Sequence, residues 1–251
     1  GVHPTGWPME ILGDRDGATM VFIPGGEFLM GRDDGSAAER PAHRVSLPPY
    51  YLDQHEVTLR QYRLYLTEAT RRGDRPHPLP KEIEKLCPSE EHPVVLVTAR
   101  EALAFAQWAG KRLPSEAQWE FAARTPDGRL HPWGPDPARW DRPRAWKQLD
   151  RVMEHPRDLS PYGVFDLAGN AWEWTGDWFD AKYYQQFRET AAYNPLGPVS
   201  SKTRPPQVTI KGSSKDWDAS WREGVRIDAR MNTLGFRCVL NLSGATGAGG
   251  N

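Results

Sequence analysis

Tyr162 to Phe179 read YGVFDLAGNAWEWTGDWF, the stretch of the chain densest in structural information. Trp172, Trp174 and Trp178 stand at even spacing, and side chains alternate across an extended chain, so the three indoles share one face of a strand. Glu173 and Asp177 fall on the other face. With Asp166 and Asn170 they make a polar spine beside an aromatic anchor, a pattern suited to a metal or to a hydrogen-bond network.

The composition around this stretch has 23 glycines, 23 prolines and 11 tryptophans in 251 residues, which predicts a loop-rich fold held by large aromatic anchors. A balance of 32 basic against 33 acidic residues gives no global attraction to nucleic acid or to an anionic membrane surface. No apolar run reaches membrane-spanning length and the N-terminus lacks a signal core, so a soluble protein or an excised domain is expected. Cys87 and Cys238 could form at most one disulfide, and neither shows metal-ligand spacing. Free thiols, and with them the cytoplasm, are the expectation.

Upstream, a leader over 1–18 precedes MVFIPGGEFLM (Met20–Met30), read as strand, turn and strand around Pro24-Gly25-Gly26. HRVSLPPYYLDQHEVT continues extended. Thr58 caps a helix whose apolar stripe is Leu59, Tyr62, Tyr65 and Leu66. HPVVLV reads as a short strand, and then Thr98 with Glu101, and Ser115 with Gln118, spell two capping boxes. Residues 125–160 lose all periodicity and are expected to form a long surface loop, with at most a helical turn at Ala145–Val152. Downstream, VTIKGSS and LGFRCVLNL read as strands, and 243–251 as a flexible tail. One domain over 19–242 is expected, since no repeat and no linker divides it.

The ordered segments MVFIPGGEFLMG, ERPAHRVSLPPYYLDQHEVTLRQYRLYL, HPVVLVTAREALAFAQWAGKRLPSEAQWEFAAR, HPWG, YGVFDLAGNAWEWTGDW and LGFRCVL together resemble the formylglycine-generating enzyme (sulfatase-modifying factor) family. The resemblance implies an α+β fold of the C-type-lectin-like kind, with two main helices, small twisted sheets and much irregular structure. In the active enzymes of the family, two cysteines after a Gly-Gly-Ser strand bind copper. The matching stretch here, Ile210 to Arg226, contains no cysteine, and Asp216, Asp218 and Glu223 are hard oxygen donors unsuited to monovalent copper, so no copper is expected. Cys238 matches a position that forms a disulfide in the eukaryotic enzymes, with its partner position at Ala106 here. The seven histidines lack the paired helical spacing of the family's iron-binding branch.

The resemblance also implies a structural calcium site at Asp166, the carbonyls of Gly169 and Ala171, and Glu173, a mix of hard oxygens that calcium accepts. The alternative is that Asp166 and Glu173 cap turns or pair with arginines such as Arg237. For function, the leading expectation is a noncatalytic ligand-binding domain for a protein or peptide. Its surface would be built from Lys215, Asp216, Trp217, Asp218, Trp221, Arg222 and Arg226, residue types that concentrate binding energy. Two alternatives stay open. One is an enzyme of divergent chemistry using Asp216, Asp218, Glu223 and Arg226 in the same cleft. The other is a variable binding protein of the retroelement-diversified type, or a regulatory segment of a larger multidomain protein. Against hypervariability, Asn232 is the sole asparagine between Val208 and Val239.

Overall fold

The two apolar runs flanking Pro24-Gly25 become strands, but not of one hairpin. Gly25 takes a φ of +69°, and a Cβ there would lie 2.4 Å from the Leu47 carbonyl oxygen, so only glycine lets the chain cross at this point. In chain order the strands are β1 (Glu10–Leu12), β2 (Thr19–Ile23), β3 (Gly26–Met30), β4 (His43–Leu47), β5 (Tyr50–Asp53), β6 (Trp172–Trp178), β7 (Ala192–Tyr193), β8 (Gln207–Lys211), β9 (Arg222–Arg226), β10 (Leu234–Gly235) and β11 (Val239–Asn241). The helices are α1 (Leu59–Arg71), α2 (Ile83–Leu86), α3 (Ala99–Trp108) and α4 (Glu116–Arg124), with a 3₁₀ turn at Tyr183–Phe187. This computed structural model describes residues 1–213 and 215–242; the tail expected over 243–251 lies outside the described residues.

Three small sheets result. One runs β1-β2-β5-β11, a second β10-β6-β8-β9 and a third β3-β4-β7. The fold is therefore the expected α+β arrangement, with helices set against small sheets and long irregular connections. All three longer helices open on capping boxes, the two expected at Thr98 with Glu101 and Ser115 with Gln118, and a third in which the expected cap Thr58 is joined by Gln61. Each box satisfies two otherwise unpaired backbone donors. The α1 stripe buries Leu59, Tyr62, Tyr65 and Ala69 against α3 and the second sheet. Tyr62 stacks on Phe105 at 5.8 Å and Phe105 meets the edge of Phe236 at 5.3 Å. A second core packs α4 against β2, β3, β4 and β5.

Strand β6 lies between the two cores, so both of its faces are covered. Trp172 and Trp174 enter the first core, while Glu173, Thr175 and Asp177 are buried on the other face. A bulge between Trp174 and Trp178 loosens its pairing with β8 but keeps the alternation read from the sequence.

Three local expectations change, and the helical turn allowed at Ala145–Val152 does not form. Residues 92–97 form no strand, only a single bridge from Pro93 to Thr58, because Leu96 turns the chain through a φ of +60°. Ala145–Val152 is turn and irregular chain without a helix, with Lys147 also left-handed. The leader carries β1, and Trp7 and Ile11 pack on Met20, Phe22 and Tyr51. The last strand is two short ones: β10 pairs with β6 and β11 with β5, so residues 236–238 step from one sheet to another. Among the described residues, no helix is long and apolar enough to cross a membrane.

Phe105 is fully buried at the ring cluster, whereas Leu103 on the same helix is 43% exposed. Phe105→Ala is expected to lower the urea-unfolding free energy by about 3–5 kcal/mol, and Leu103→Ala to change it by about 0.5 kcal/mol or less.

Candidate functional site

Both oxygens of Glu173 and one of Asp166 are already engaged by the protein. Both carboxylate oxygens of Glu173 accept from Arg237, at 2.8 Å from Nε and 2.8 Å from Nη2, and Oε2 accepts also from Trp119 Nε1 at 2.9 Å. Asp166 Oδ2 accepts from the Met153 N–H at 2.7 Å. Asp166 Oδ1 lies 3.5 Å from Arg144 Nη2. Burial first, and then the charge of Asp158, push the Asp166 carboxyl up to about 7. Asp158 itself accepts the N–H groups of Ala168 at 3.0 Å and Gly169 at 2.9 Å, and pairs with Arg144 Nη1 at 2.8 Å.

The four positions carried over for calcium, Asp166, Gly169, Ala171 and Glu173, do not fit a calcium ion in this arrangement. Glu173 has no oxygen clear of Arg237, and a Cβ on Gly169 would fall 2.4 Å from Arg144 Cζ, so the guanidinium lies directly on that glycine. A dication placed there would face that fixed positive charge. Of the two alternatives, the pairing of Glu173 with Arg237 is the one the geometry displays.

The segment after β8 is pressed onto the same motif from outside. Gly212, at a φ of +148°, approaches Trp172 so closely that a Cβ would lie 2.4 Å from Cδ1. The Ser213 carbonyl accepts from both Trp146 Nε1 at 3.3 Å and Trp172 Nε1 at 3.2 Å. Beyond it the seven expected ligand-binding residues divide. Lys215, Asp216 and Arg226 are exposed and Trp217 and Trp221 are half-buried. Trp221 stacks on Trp172 with centroids 4.9 Å apart, and Trp217 meets the edge of Trp140 at 4.9 Å. Arg226 forks onto Asp228 at 2.9 and 3.0 Å.

Asp218 and Arg222 turn inward. Asp218 pairs with Arg32 at 3.1 Å, and Arg222 Nη2 reaches Glu116 Oε2 at 3.0 Å, with its guanidinium 4.4 Å from the Tyr184 ring centre. Alternation explains Arg222, since β9 is a strand and its first residue faces α4. The sequence places this stretch on an exposed surface and carries no local sign of that inward face.

Two surface residues, Trp146 and Lys147, and the buried Trp172 beneath them are not singled out as site residues by the sequence. Trp146 and Lys147 lie in the aperiodic loop, and Trp172 was assigned to the framework. The Lys147 ammonium stands 4.3 Å from the Trp146 ring centre and 4.1 Å from that of Trp172, and Lys215 stands 5.5 Å from Trp146. These are cation–π distances, so the face is a patch of indoles overlaid by ammonium groups. Trp140 continues it into a cleft of about 680 Å³ lined by Arg129, Trp133, Arg139 and Arg157.

Below this face Lys211 and Asp177 are paired. Lys211, fully buried on β8, donates to Glu120 at 2.8 Å and to the Ser220 carbonyl at 3.2 Å. Asp177 accepts the Glu116 N–H at the start of α4 at 2.9 Å. The thiols are buried too. Burial, with Glu84 second, pushes Cys87 up to about 12, and burial raises Cys238 well above the usual thiol range. Both are held as the neutral thiol, the poor nucleophile and poor metal ligand. Among the described residues, no group of three or more His, Cys, Asp or Glu side chains is placed to hold a metal ion.

The sulfatase-modifying factor enzyme 1-like domain family matches residues 12–242, and the chain belongs to that family. It is 33% identical to the serine/threonine-protein kinase Pkn1 of Chlamydia trachomatis, over 89% of this chain and 38% of the kinase. It is 30% identical to the formylglycine-generating enzyme of Bos taurus, over 91% of this chain and 76% of that protein. It is 31% identical to the inactive C-alpha-formylglycine-generating enzyme 2 of Mus musculus, over 92% of this chain and 89% of that one. Among solved structures, PvdO from Pseudomonas aeruginosa superposes with a TM-score of 0.69 at 22% identity, covering 93% of this chain and 98% of PvdO, a likeness of fold. The chain spans about two fifths of the length of the Chlamydia kinase.

Asp177 gives the site a pH signature. Burial, and then the neighbouring Glu116 carboxylate, push it up to about 8 against the partial relief supplied by its backbone donor, Arg222 and Lys211. A carboxyl whose folded pKa exceeds its unfolded value contributes stability that is full below about pH 4 and is lost as pH rises toward 8. Asp177→Asn keeps an acceptor for the Glu116 N–H without the charge. Its melting temperature is expected to match the wild type near pH 4 and to exceed it increasingly toward pH 8, as followed by circular dichroism.

Proposed function

We propose that this chain is a noncatalytic binding module on a formylglycine-generating-enzyme-like scaffold, taking a protein or peptide ligand on the face formed by Trp146, Lys147, Lys215, Trp217 and Trp221. One observation carries the reading. In the stretch from Gly212 to Arg226, Asp218 and Arg222 are turned inward and paired, while half-buried indoles and exposed ammonium groups line the outside. Tryptophan supplies large, rigid contact area, and cations beside it favour a ligand with acidic side chains. The cleft next to Trp140 adds Arg139 beside Asp136 and the ion-paired Arg129 and Arg157.

Catalysis of the family's oxidative kind requires thiolate ligands in the segment after β8. Neither cysteine of this chain lies in that segment, and both are buried as neutral thiols. The rival reading, an enzyme built on Asp216, Asp218, Glu223 and Arg226, is disfavoured because Asp218 turns in to Arg32 and Arg226 is forked onto Asp228. The partial overlap with a much longer kinase supports a module that serves a larger protein, and the inactive mouse relative supports a scaffold used without the chemistry.

The test has two arms. Incubated with copper and a cysteine-containing peptide, the protein is expected to form no formylglycine by mass spectrometry; measurable conversion would overturn the noncatalytic reading. A displayed peptide library selected on the wild-type protein should enrich acidic sequences that lose at least tenfold in affinity for Trp221→Ala and Lys215→Glu. Enrichment that is indifferent to both variants, or none at all, would remove this face as the binding surface.

A further inference from the structure

The aperiodic loop over 133–160 is tied to the central motif at several points, and all but one are neutral hydrogen bonds or bonds to a single charge. The Asp150 N–H donates to Asn170 Oδ1 at 2.9 Å and the Met153 N–H to Asp166 Oδ2 at 2.7 Å. The exception is Arg144. Its side chain is fully buried, and so is that of Asp158, while Asp166 is 1% exposed. The guanidinium is 2.8 Å from Asp158 Oδ2 and 3.5 Å from Asp166 Oδ1, lies on the bare backbone of Gly169, and is roofed by Trp140 at 4.7 Å and Trp217 at 5.6 Å.

Three features mark this as a cradle shaped for a cation rather than an ordinary ion pair. Two buried carboxylates converge on one point, which is unfavourable unless a positive charge is fixed between them. One acceptor at that point is left over: Asp166 Oδ1 is buried without a hydrogen-bond partner among the described residues and is faced only by the Arg144 guanidinium at 3.5 Å. The backbone is also bent to suit, with Asp166 at a φ of +58° and Asn170 at +67° on the motif, and Met153 at +62° on the loop. Left-handed non-glycine residues cost energy and persist where the surroundings impose them.

We infer that the Arg144 guanidinium is a built-in replacement for a bound cation: it fills the cradle of Asp158, Asp166 and Gly169 and fastens the 133–160 loop to the central motif. The folded chain therefore needs no metal there, and removing the arginine converts the cradle into a site for a divalent cation with hard-oxygen preference, calcium before magnesium. A guanidinium supplies one positive charge against two carboxylates, so a dication would balance the cradle more fully than the arginine does. The inference stands apart from the proposed function, since it concerns how the loop is held and not what the outer face binds.

The experiment is thermal unfolding of the purified protein, with chelator and then with millimolar calcium, for the wild type, Arg144→Ala and Arg144→Lys. The wild type should melt at one temperature in both conditions. Arg144→Ala should melt roughly 5–10 °C lower in chelator, from the loss of one partner of a buried pair, and recover several degrees with calcium. Arg144→Lys, which keeps the charge but loses the fork, should melt between the two and ignore calcium. The inference is overturned if chelation lowers or calcium raises the wild-type melting temperature, if Arg144→Ala folds but ignores calcium, or if Arg144→Lys responds to it. Should Arg144→Ala fail to fold, the wild-type and lysine arms decide the matter alone.

Discussion

The structure hangs on the buried pair between Arg237 and Glu173. Arg237 sits on the step between β10 and β11, where the chain leaves one sheet for another, and its guanidinium touches every layer that meets there. Two of its nitrogens hold Glu173 on β6, Nη1 reaches the Asp53 carbonyl at the end of β5 at 3.3 Å, and Nη2 reaches the Phe165 carbonyl at 3.0 Å. Glu173 in turn receives Trp119 from α4. A pair buried this completely gains little over apolar side chains of the same volume, because both charges lose their water. What it supplies is direction, since a planar fork accepts partners only at set angles. It gives β5, β6, α4 and the segment at Phe165 a common point of register.

Other fixed charges repeat this device. Lys111 lies between Asp16 and Asp53 at 2.7 and 2.8 Å and joins the N-terminal turn to the first sheet. Lys211 joins β8 to α4 through Glu120, and Arg222 joins β9 to α4 through Glu116. The sheets have only three or four strands each, too small to enclose a core alone. Charge pairs at their junctions do what longer strands do in larger sheets.

What the sequence revealed follows from the range over which each signal acts. The cap at Thr58, the capping boxes at Thr98 and Ser115 and the alternation of Trp172 to Trp178 are local, needing only residues within a turn or a strand, and they appear where expected. The LGFRCVLNL run did not disclose its break, because Arg237 interrupts the strand through partners 64 and 184 positions away. Arg222 was read as a surface residue for a similar reason. An arginine between Trp221 and Glu223 looks solvent-facing until Glu116, 106 positions upstream, is seen to receive it. The calcium reading carried over a set of oxygens correctly placed along the motif, yet the deciding group, Arg144, lies in the loop where no pattern survives.

That last point bears on how the family scaffold diverges. The central motif is closed on its inner side by Arg237 and on its outer side by Arg144, so both carboxylates at its ends, Glu173 and Asp166, face an arginine from elsewhere in the chain. An arginine from a loop is bound to that loop's own sequence, whereas a metal ion is drawn from solution and holds any loop that presents oxygens. Fixing the loop covalently to its cation makes its position independent of ion supply. It also places Trp140 and Trp146, which flank Arg144 in sequence, beside Trp217 and Trp172 on the outer face. The same residue that closes the motif thus sets the spacing of the indoles proposed to bind, and the framework and the surface are joined at Arg144.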